Sequence, residues 1–289
     1  SNVPSTIRCE PASQIITENE HPAFAVHRKH NASIVVAMDL AKAQKADAVI
    51  SAGPTGATVA SAMSSIRLLP HLDRPVMCMP LVGFTSNTIL VDGGANINCK
   101  PEHLLAFGIV GTIYARKFYN ISNPTVGLLN IGREENKGGN LLQEAYQLLK
   151  NSRLNFIGNI EGNNIVQDQA DVIVCDGITG NVLIKFCESV GPYLSGWLKN
   201  RLGNSQLMSP VRKILEQITS FTGIIDNESA GGTLLWGFNS IIEVLHGHSQ
   251  AVQVSQAILK AKDCAKSKII SSMTAELKSM NHGYLRNVA

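Results

Sequence analysis

The chain has 289 residues, of which 44% are hydrophobic and 16% are charged, and its formal net charge at pH 7 is +3. A chain of this length and composition can bury a sizeable core, so we expect one globular catalytic domain over residues 1–289. The 25 basic and 22 acidic residues are spread along the sequence, which argues against a nucleic acid partner because no basic tract could follow a phosphate backbone.

The cysteines and the hydropathy pattern predict a cytoplasmic protein. The six cysteines lie far apart without a CxxC or Cys/His cluster, and we expect reduced, buried thiols: Cys9, Cys78, Cys99, Cys175, Cys187 and Cys264. No apolar run approaches the roughly 18 residues of a transmembrane helix, and the first residues lack the pattern of a secretion signal. A peripheral contact with the inner face of the membrane stays open.

Short runs rich in Val, Ile and Leu alternate with segments of helical period through the first part of the chain. This alternation is typical of an α/β protein with a mostly parallel sheet. The runs predict strands at 46–51, 75–82, 87–92, 125–131, 154–160 and 171–176. Between them we predict helices near 33–44, 56–69, 101–119 and 139–150.

The pattern changes after Asp176. Apolar residues at steps of three and four predict a long amphipathic helix over 179–200, and a second helical stretch over 207–221. Two short strands are predicted within 231–237 and 240–247. One helix over about 249–279, with Ser249 as its N-cap, then closes the chain.

Nearly every predicted strand ends in a turn of small residues. These turns lie at 51–56, 92–98, 130–139, 159–164, 176–181 and 246–249. In a parallel sheet such turns share one edge with the N-termini of the following helices, where main-chain N–H groups attract anions. A single turn of this kind is more often an ordinary strand-to-helix corner, but the set together predicts an anion site.

The motifs that would identify a nucleotide or a metal are missing from the sequence. No turn has GxGxxG spacing, no GxxxxGK[ST] loop occurs, and neither GxSxG nor HExxH is found. His246 and His248 have no carboxylate or Cys at ligand spacing, which favours a capping or cleft-lining role over a metal site. We therefore expect no cofactor, and an anion such as inorganic phosphate or the phosphate of a phosphopantetheine or coenzyme A arm.

The loop after the strand 125–131 places Arg133, Glu134, Glu135 and Lys137 among glycines. A lysine there could hold an anionic substrate or stabilise the negative charge of an acyl-transfer intermediate. The alternative is a solvated surface loop whose charges pair with one another. The residue pattern leaves both open.

A series of motifs resembles the PlsX-type phosphate acyltransferases of bacterial phospholipid synthesis. The series is SAGPTGA, DGGANINCKPEH, NPTVGLLNIGREENKGG, NFIGNIEGNNI, DVIVCDGITGNVLIK, AGGTLLWGFNSII and HGHS, in this order. The resemblance runs from about Pro11 to about Ala275; the family pattern has a further strand and an MGGD-type loop before that point, and this sequence starts after it. Pro54 stands where the family usually has Asn.

The resemblance implies transfer of a long fatty acyl group from acyl carrier protein to inorganic phosphate, with no metal or nucleotide. It also implies a Rossmann-like α/β/α sandwich related to the isocitrate and isopropylmalate dehydrogenases and to phosphotransacetylase, with a C-terminal helical extension, and a homodimer held loosely at the membrane. Residues 191–225 are expected to form a helical insertion for dimer or membrane contact.

The resemblance also implies the residues of the site. The family's catalytic Lys and Asn map onto Lys137 and Asn181. The glycine-rich turns map as the lining of the cleft, which gives the substrate-binding candidates Ser51, Gly53, Thr55, Gly56, Asp92, Gly94, Asn96, Gly132, Glu134, Glu135, Gly138, Asp176, Gly177, Thr179, Gly180, His246 and Gly247. For Asp92 and Asp176 the alternative is a turn-forming acid that binds main-chain N–H groups.

Two other functions stay open at this point. The chain could be a catalytically weak scaffold that binds acyl carrier protein or partner acyltransferases, or a phosphotransacetylase-like enzyme that uses short acyl-CoA. Phosphate-dependent release of free carrier protein from acyl carrier protein would distinguish the acyltransferase from the scaffold.

Overall fold

Two β-sheets form the framework of the described part of the chain. The structure, a computed structural model, describes residues 6–81, 85, 87–202 and 231–284. The strands are β1 (Ala48–Ser51), β2 (Val76–Met77), β3 (Met79–Pro80), β4 (Ile89–Val91), β5 (Thr125–Leu129), β6 (Asn155–Ile160), β7 (Val172–Val174), β8 (Thr233–Trp236) and β9 (Ile241–Val244). The helices are α1 (Pro22–Arg28), α2 (Ser33–Lys42), α3 (Thr55–Ser65), α4 (Pro101–Phe118), α5 (Asn140–Lys150), α6 (Gly177–Leu202), α7 (Ala251–Lys266) and α8 (Ile269–Tyr284), with a 3₁₀ helix at Gly162–Gln167.

The five-stranded sheet has the order β3-β4-β7-β5-β6, and the pairs from β4 to β6 are parallel. The four-stranded sheet has the order β1-β9-β8-β2, in which β1 and β9 are parallel and the other pairs antiparallel. The α/β class with a parallel sheet is thus confirmed. The strand predicted over 75–82 is two short strands, because Cys78 separates the residues that pair with β8 from those that pair with β4.

The helix α4 packs against the parallel sheet and forms the centre of the core. It begins with Pro101 at its first turn, where a missing N–H leaves no hydrogen bond unmade. Gly111 lies so close to the sheet that an added Cβ would overlap the side chain of Val172. Phe107, Val110 and Ile113 are almost completely buried beside it. This close approach fixes the sheet from which the turns at its carboxyl edge extend.

The C-terminal part differs from the prediction. Instead of one helix over about 249–279, α7 ends at Lys266 and α8 begins at Ile269, because Lys268 adopts the left-handed conformation with φ 53°. Gln250, not Ser249, precedes the first residue of α7, and its N–H donates to Gln253 Oε1 at 2.8 Å. The short helix α1 and the 3₁₀ helix were not predicted.

The expectation of buried cysteines is confirmed only in part. Cys78, Cys175 and Cys264 are buried and free as expected, whereas Cys99 and Cys187 are half-buried and Cys9, in an irregular segment near the start of the described residues, is exposed. The helix predicted over 207–221 lies outside the described residues, as does much of the stretch 191–225.

Within the described part of the chain, no helix has the length and apolar content needed to cross a membrane.

Candidate active site

Four turns lie at the carboxyl edge of the five-stranded sheet, because the strands that precede them, β4, β7, β5 and β6, are parallel neighbours. The turn 92–97 follows β4, and the turn 175–176 leads from β7 into α6. The loop 130–139 connects β5 to α5. Tertiary structure therefore gathers the glycine-rich turns that the sequence separates by up to about ninety residues.

Asp92 organises the first of these turns from a completely buried position. Its Oδ1 accepts the N–H of Met77 at 2.8 Å and of Ala95 at 3.2 Å, and its Oδ2 accepts the N–H of Asn96 at 2.7 Å and the side-chain amide at 3.0 Å. Burial raises the pKa of the Asp92 carboxyl, although these hydrogen bonds act in the opposite direction. Asp92 is therefore a turn-forming acid, and any contact with substrate stays a prediction.

Two glycines let the start of α6 lie directly on this turn. A Cβ on Gly177 would overlap the carbonyl oxygen of Asn96, and one on Gly180 would overlap the carbonyl oxygen of Asp92. The Gly177 N–H donates to the same Asn96 carbonyl at 3.0 Å. These contacts fix the first turn of α6, and hence Asn181, relative to the sheet.

The first main-chain N–H groups of α6 donate hydrogen bonds to oxygen atoms of the protein itself. Asp176 Oδ1 accepts from the N–H groups of Ile178 at 2.9 Å and Thr179 at 3.0 Å, and Asp176 Oδ2 accepts from the Thr179 hydroxyl at 2.7 Å. Asp176 is thus the N-cap of α6. The N–H groups of Gly177, Ile178 and Thr179 each have a protein partner, so a role of these groups in holding an anion stays a prediction.

A cavity of about 430 Å³ opens beside the first turns of α6. Its volume is within the usual range for small-molecule sites, about 300–1,000 Å³. Its polar side chains are Thr55, Asn181, Lys185, Glu188, Thr233 and His246. Gly93, Gly94 and Gly177 contribute main chain, and Met77, Met79, Ile97, Ile178, Val182, Ile184, Val244 and Leu245 contribute apolar surface. The α6 helix, the turn after β4 and both sheets thus form one hollow.

Asn181, Lys185 and Glu188 lie on one face of α6 at steps of four and three, and all three line the cavity. Gly94, with φ 133°, approaches Asn181 so closely that an added Cβ would lie 3.2 Å from the Asn181 Cβ. Lys185 Nζ lies 2.7 Å from Glu188 Oε2, and the other Glu188 oxygen lies 3.9 Å from His246 Nε2. The His246 ring stacks on His248 with centroids 5.3 Å apart.

Lys137 does not line this cavity. Its side chain is 45% exposed and its ammonium lies 3.9 Å from Glu134 Oε2. Asn130, buried at the end of β5, holds the loop by donating to the Lys137 carbonyl at 3.1 Å. The Lys137 loop and the start of α6 follow adjacent strands, but the structure brings only Asn181 of the two predicted catalytic side chains into the cavity.

The remaining predicted residues divide among three places. Thr55, Gly94, Gly177 and His246 line the cavity with Asn181. Ser51 and Gly53 line a second, smaller hollow of about 280 Å³ beside α2 and α3, where the Ser51 and Thr58 hydroxyls lie 3.1 Å apart. The others lie in the turns or in the first turns of α3 and α6, and they do not line the first cavity: Gly56, Asp92, Asn96, Gly132, Glu134, Glu135, Gly138, Asp176, Thr179, Gly180 and Gly247.

Two charged side chains of the Lys137 loop form ion pairs with residues of neighbouring segments of the same chain. Glu135 Oε1 lies 2.6 Å from Lys150 Nζ, and this hydrogen bond lowers the pKa of the Glu135 carboxyl. Arg133 Nε lies 3.5 Å from Glu161 Oε2. This geometry agrees with the surface-loop alternative for Arg133 and Glu135. Lys137 and Glu134 both face solvent, and the ion pair between them is long, at 3.9 Å.

Lys185, Glu188 and Thr233 line the cavity but were not predicted as site residues. Lys185 could have been found, since it ends the quoted motif DGITGNVLIK and stands four residues after Asn181. Among the described residues, no group of three or more His, Cys, Asp or Glu side chains could hold a metal ion.

Comparison with known proteins gives relatives along most of the chain. The family described as Fatty acid synthesis protein matches residues 2–272. The chain is 40% identical to a phosphate acyltransferase of Desulfitobacterium hafniense (strain DSM 10664 / DCB-2) over 95% of this chain and 83% of that protein. It is 38% identical to a phosphate acyltransferase of Clostridium acetobutylicum over 96% and 84%, respectively.

Solved structures of similar fold are more distant in sequence. A phosphotransacetylase from Streptococcus pyogenes has a TM-score of 0.50 and 18% identity, over 84% of this chain and 67% of that one. A branched-chain phosphotransacylase from Enterococcus faecalis V583 has a TM-score of 0.50 and 13% identity, over 82% of this chain and 79% of that one. At these identities the likeness concerns the fold alone.

Proposed function

Because the chain belongs to the Fatty acid synthesis protein family, together with curated phosphate acyltransferases, we propose that it transfers a long-chain fatty acyl group from acyl carrier protein to inorganic phosphate. The product is an acyl phosphate for phospholipid synthesis. The observation that carries this proposal is the cavity at the end of the parallel strands, in which the Asn181 amide lies beside apolar surface. A polar group for the reacting carbonyl and an apolar wall for the chain are what acyl transfer needs.

The reaction needs no nucleophile from the protein. An oxygen of HPO₄²⁻ attacks the thioester carbonyl carbon, the C–S bond breaks, and the thiolate leaves and takes up the proton that the phosphate group loses. The protein has to place the two reactants together and stabilise the oxyanion of the intermediate. We assign to the Asn181 side-chain amide a hydrogen bond that it donates to that oxyanion. We assign to Lys137 the neutralisation of the charge of the phosphate or of the oxyanion.

Apolar residues at the cavity mouth support an acyl substrate. Ile97, Ile178 and Val182 line the cavity and are nevertheless 70%, 54% and 63% exposed. Phe186, Tyr193 and Trp197 continue the same face of α6 and are also exposed. At 1.5 Å per residue this apolar face extends about 28 Å from Ile178 to Trp197, which suits a long acyl chain better than an acetyl group.

The homodimer and the peripheral membrane contact remain part of this proposal. Tyr193 and Trp197, 70% and 47% exposed, support a further contact of α6 with a second copy or with lipid. Both lie in the stretch 191–225 for which such a contact was expected.

The function is tested by incubating the protein with long-chain acyl carrier protein and phosphate and trapping acyl phosphate as the hydroxamate. We expect hydroxamate only when both substrates are present, together with release of free carrier protein. A matched reaction with acetyl-CoA should give far less product. Binding of acyl carrier protein without phosphate-dependent turnover would instead support the scaffold, and a preference for acetyl-CoA would support the phosphotransacetylase-like enzyme.

A further inference from the structure

The cavity contains a charged cluster to which the proposed function has given no role. It consists of Lys185 and Glu188 on α6 and His246 in the turn after β9. We propose that Lys185 is the cation that binds the phosphate acceptor inside the cavity, and that Glu188 is a positioning residue for it. This inference rests on the proposed transfer to phosphate and names the residue that receives that substrate.

The position of Lys185 relative to Asn181 suits this role. The two residues are four apart on α6, so their Cβ atoms are about 5–6 Å from each other on the same face. Both side chains line the cavity. A phosphate bound by the Lys185 ammonium therefore lies within reach of a thioester whose carbonyl oxygen accepts from the Asn181 amide.

The charge balance of the cavity calls for a cation at this place. Phosphate carries up to two negative charges at neutral pH, and an unpaired anion is costly to move out of water. Met77, Met79 and Ile184 make part of the wall apolar. Lys185 is the sole Lys or Arg among the described residues that line the cavity, whereas Lys137 lies outside it.

The Lys185 ammonium is held by Glu188, three residues further along the same helix. Lys185 Nζ donates to Glu188 Oε2 at 2.7 Å, and the Glu188 side chain is only 20% exposed. Glu188 Oε1 lies 3.9 Å from His246 Nε2, beyond hydrogen-bond distance, which places the pair beside the turn after β9. The Lys185 side chain is 56% exposed, so this hydrogen bond limits its rotamers at the open side of the cavity, and less rotamer freedom is lost when an anion binds.

The test measures KM for phosphate, KM for acyl carrier protein and kcat in two variants of the ion pair. Lys185→Gln removes the cation, so we expect KM for phosphate to rise at least tenfold while KM for the acyl carrier stays within about twofold. Glu188→Gln keeps a hydrogen-bond acceptor but removes a negative charge beside the anion, so we expect KM for phosphate to fall. If the ion pair were merely structural, both substitutions would change KM for phosphate in the same direction.

Two comparison variants complete the experiment. Lys185→Arg should restore most of the phosphate affinity, and Lys262→Gln, an exposed lysine of α7, should leave all constants unchanged. The inference is overturned if wild-type protein turns over but Lys185→Gln keeps its KM for phosphate. It is also overturned if only KM for the acyl carrier rises, because Lys185 would then bind the phosphodiester of the carrier arm. Absence of turnover in the wild type would reject the proposed function instead.

Discussion

Gly180, in the first turn of α6, lies directly on the main-chain carbonyl of Asp92, so that no side chain fits between the helix and the turn after β4. This contact joins the element that carries Asn181 and Lys185 to the element that carries Gly94. The geometry of the cavity therefore depends on the absence of one methyl group.

The first prediction concerns that methyl group. Gly180→Ala should lower the free energy of unfolding by about 1–3 kcal/mol through overpacking and reduce kcat, because α6 must shift away from Asp92. Gly196→Ala is the matched control, since an added Cβ there meets nothing within 4 Å and alanine favours the helix. Urea unfolding of both variants measures the difference, and equal stability of the two would show that α6 tolerates the shift.

Asn181→Ala should reduce kcat by about 10²–10³-fold, the usual effect of removing one hydrogen-bond donor from a reacting oxyanion. The measurement is hydroxamate formation at saturating phosphate and acyl carrier protein. KM for phosphate should change little, in contrast to Lys185→Gln. A loss that appears only in KM would assign Asn181 to ground-state binding.

Lys137 gives the third prediction. Lys137→Ala should strongly reduce turnover if this solvent-facing lysine closes over the bound substrate, as its proposed role requires. Arg133→Ala is the control from the same loop, because Arg133 is also exposed and pairs with Glu161 at 3.5 Å. Near-normal turnover of Lys137→Ala would remove this residue from the proposed site.

The apolar mouth of the cavity can be tested by chain length. Ile178→Ser with Val182→Ser should reduce activity on long-chain acyl carrier protein more than on a short-chain one, since each CH₂ group buried contributes about 0.8 kcal/mol. Val252→Ser with Ile258→Ser makes the same change on exposed residues of α7. An equal loss on both chain lengths would argue against an acyl contact at this mouth.

The fifth prediction concerns an ion pair in the four-stranded sheet. Glu243 is completely buried on β9, and its Oε1 lies 2.6 Å from Lys260 Nζ on α7. Lys260→Met should lower the free energy of unfolding by about 3–5 kcal/mol because it leaves a buried carboxylate without this partner. Glu243→Leu combined with Lys260→Met should recover most of the stability.

The same pair predicts a pH dependence. Burial raises the pKa of the Glu243 carboxyl above 4.5, while Lys260 lowers it. A raised pKa means that the folded protein binds the proton more tightly, so stability falls as pH rises from about 4.5 through the folded-state pKa. Without the ammonium this pKa rises further, and Lys260→Met should be closer to wild type at pH 5 than at pH 8 in urea unfolding. A deficit independent of pH would contradict this account.

The sequence predicted the elements whose signal is local. The runs that became β5, β6 and β7 are apolar and end in glycine turns, and α4 and α5 follow from their helical period. Boundaries were less accurate where long-range pairing decides, as in the division of the segment 75–82 between two sheets. The break at Lys268 also escaped prediction, since the apolar period continues across it.

The sequence by itself determined the α/β class and the small-residue turns, because apolar periodicity, glycine and turn-forming acids act over a few neighbouring residues. The family followed from the resemblance of its motif series. Only the tertiary structure decided which side chains of those turns share a cavity. It placed Asn181 beside Lys185, Glu188 and His246, and left Lys137 on the adjacent loop. The direction of each side chain depends on contacts between distant segments, such as Gly180 on Asp92 and Glu188 near His246, and no local pattern records those distances.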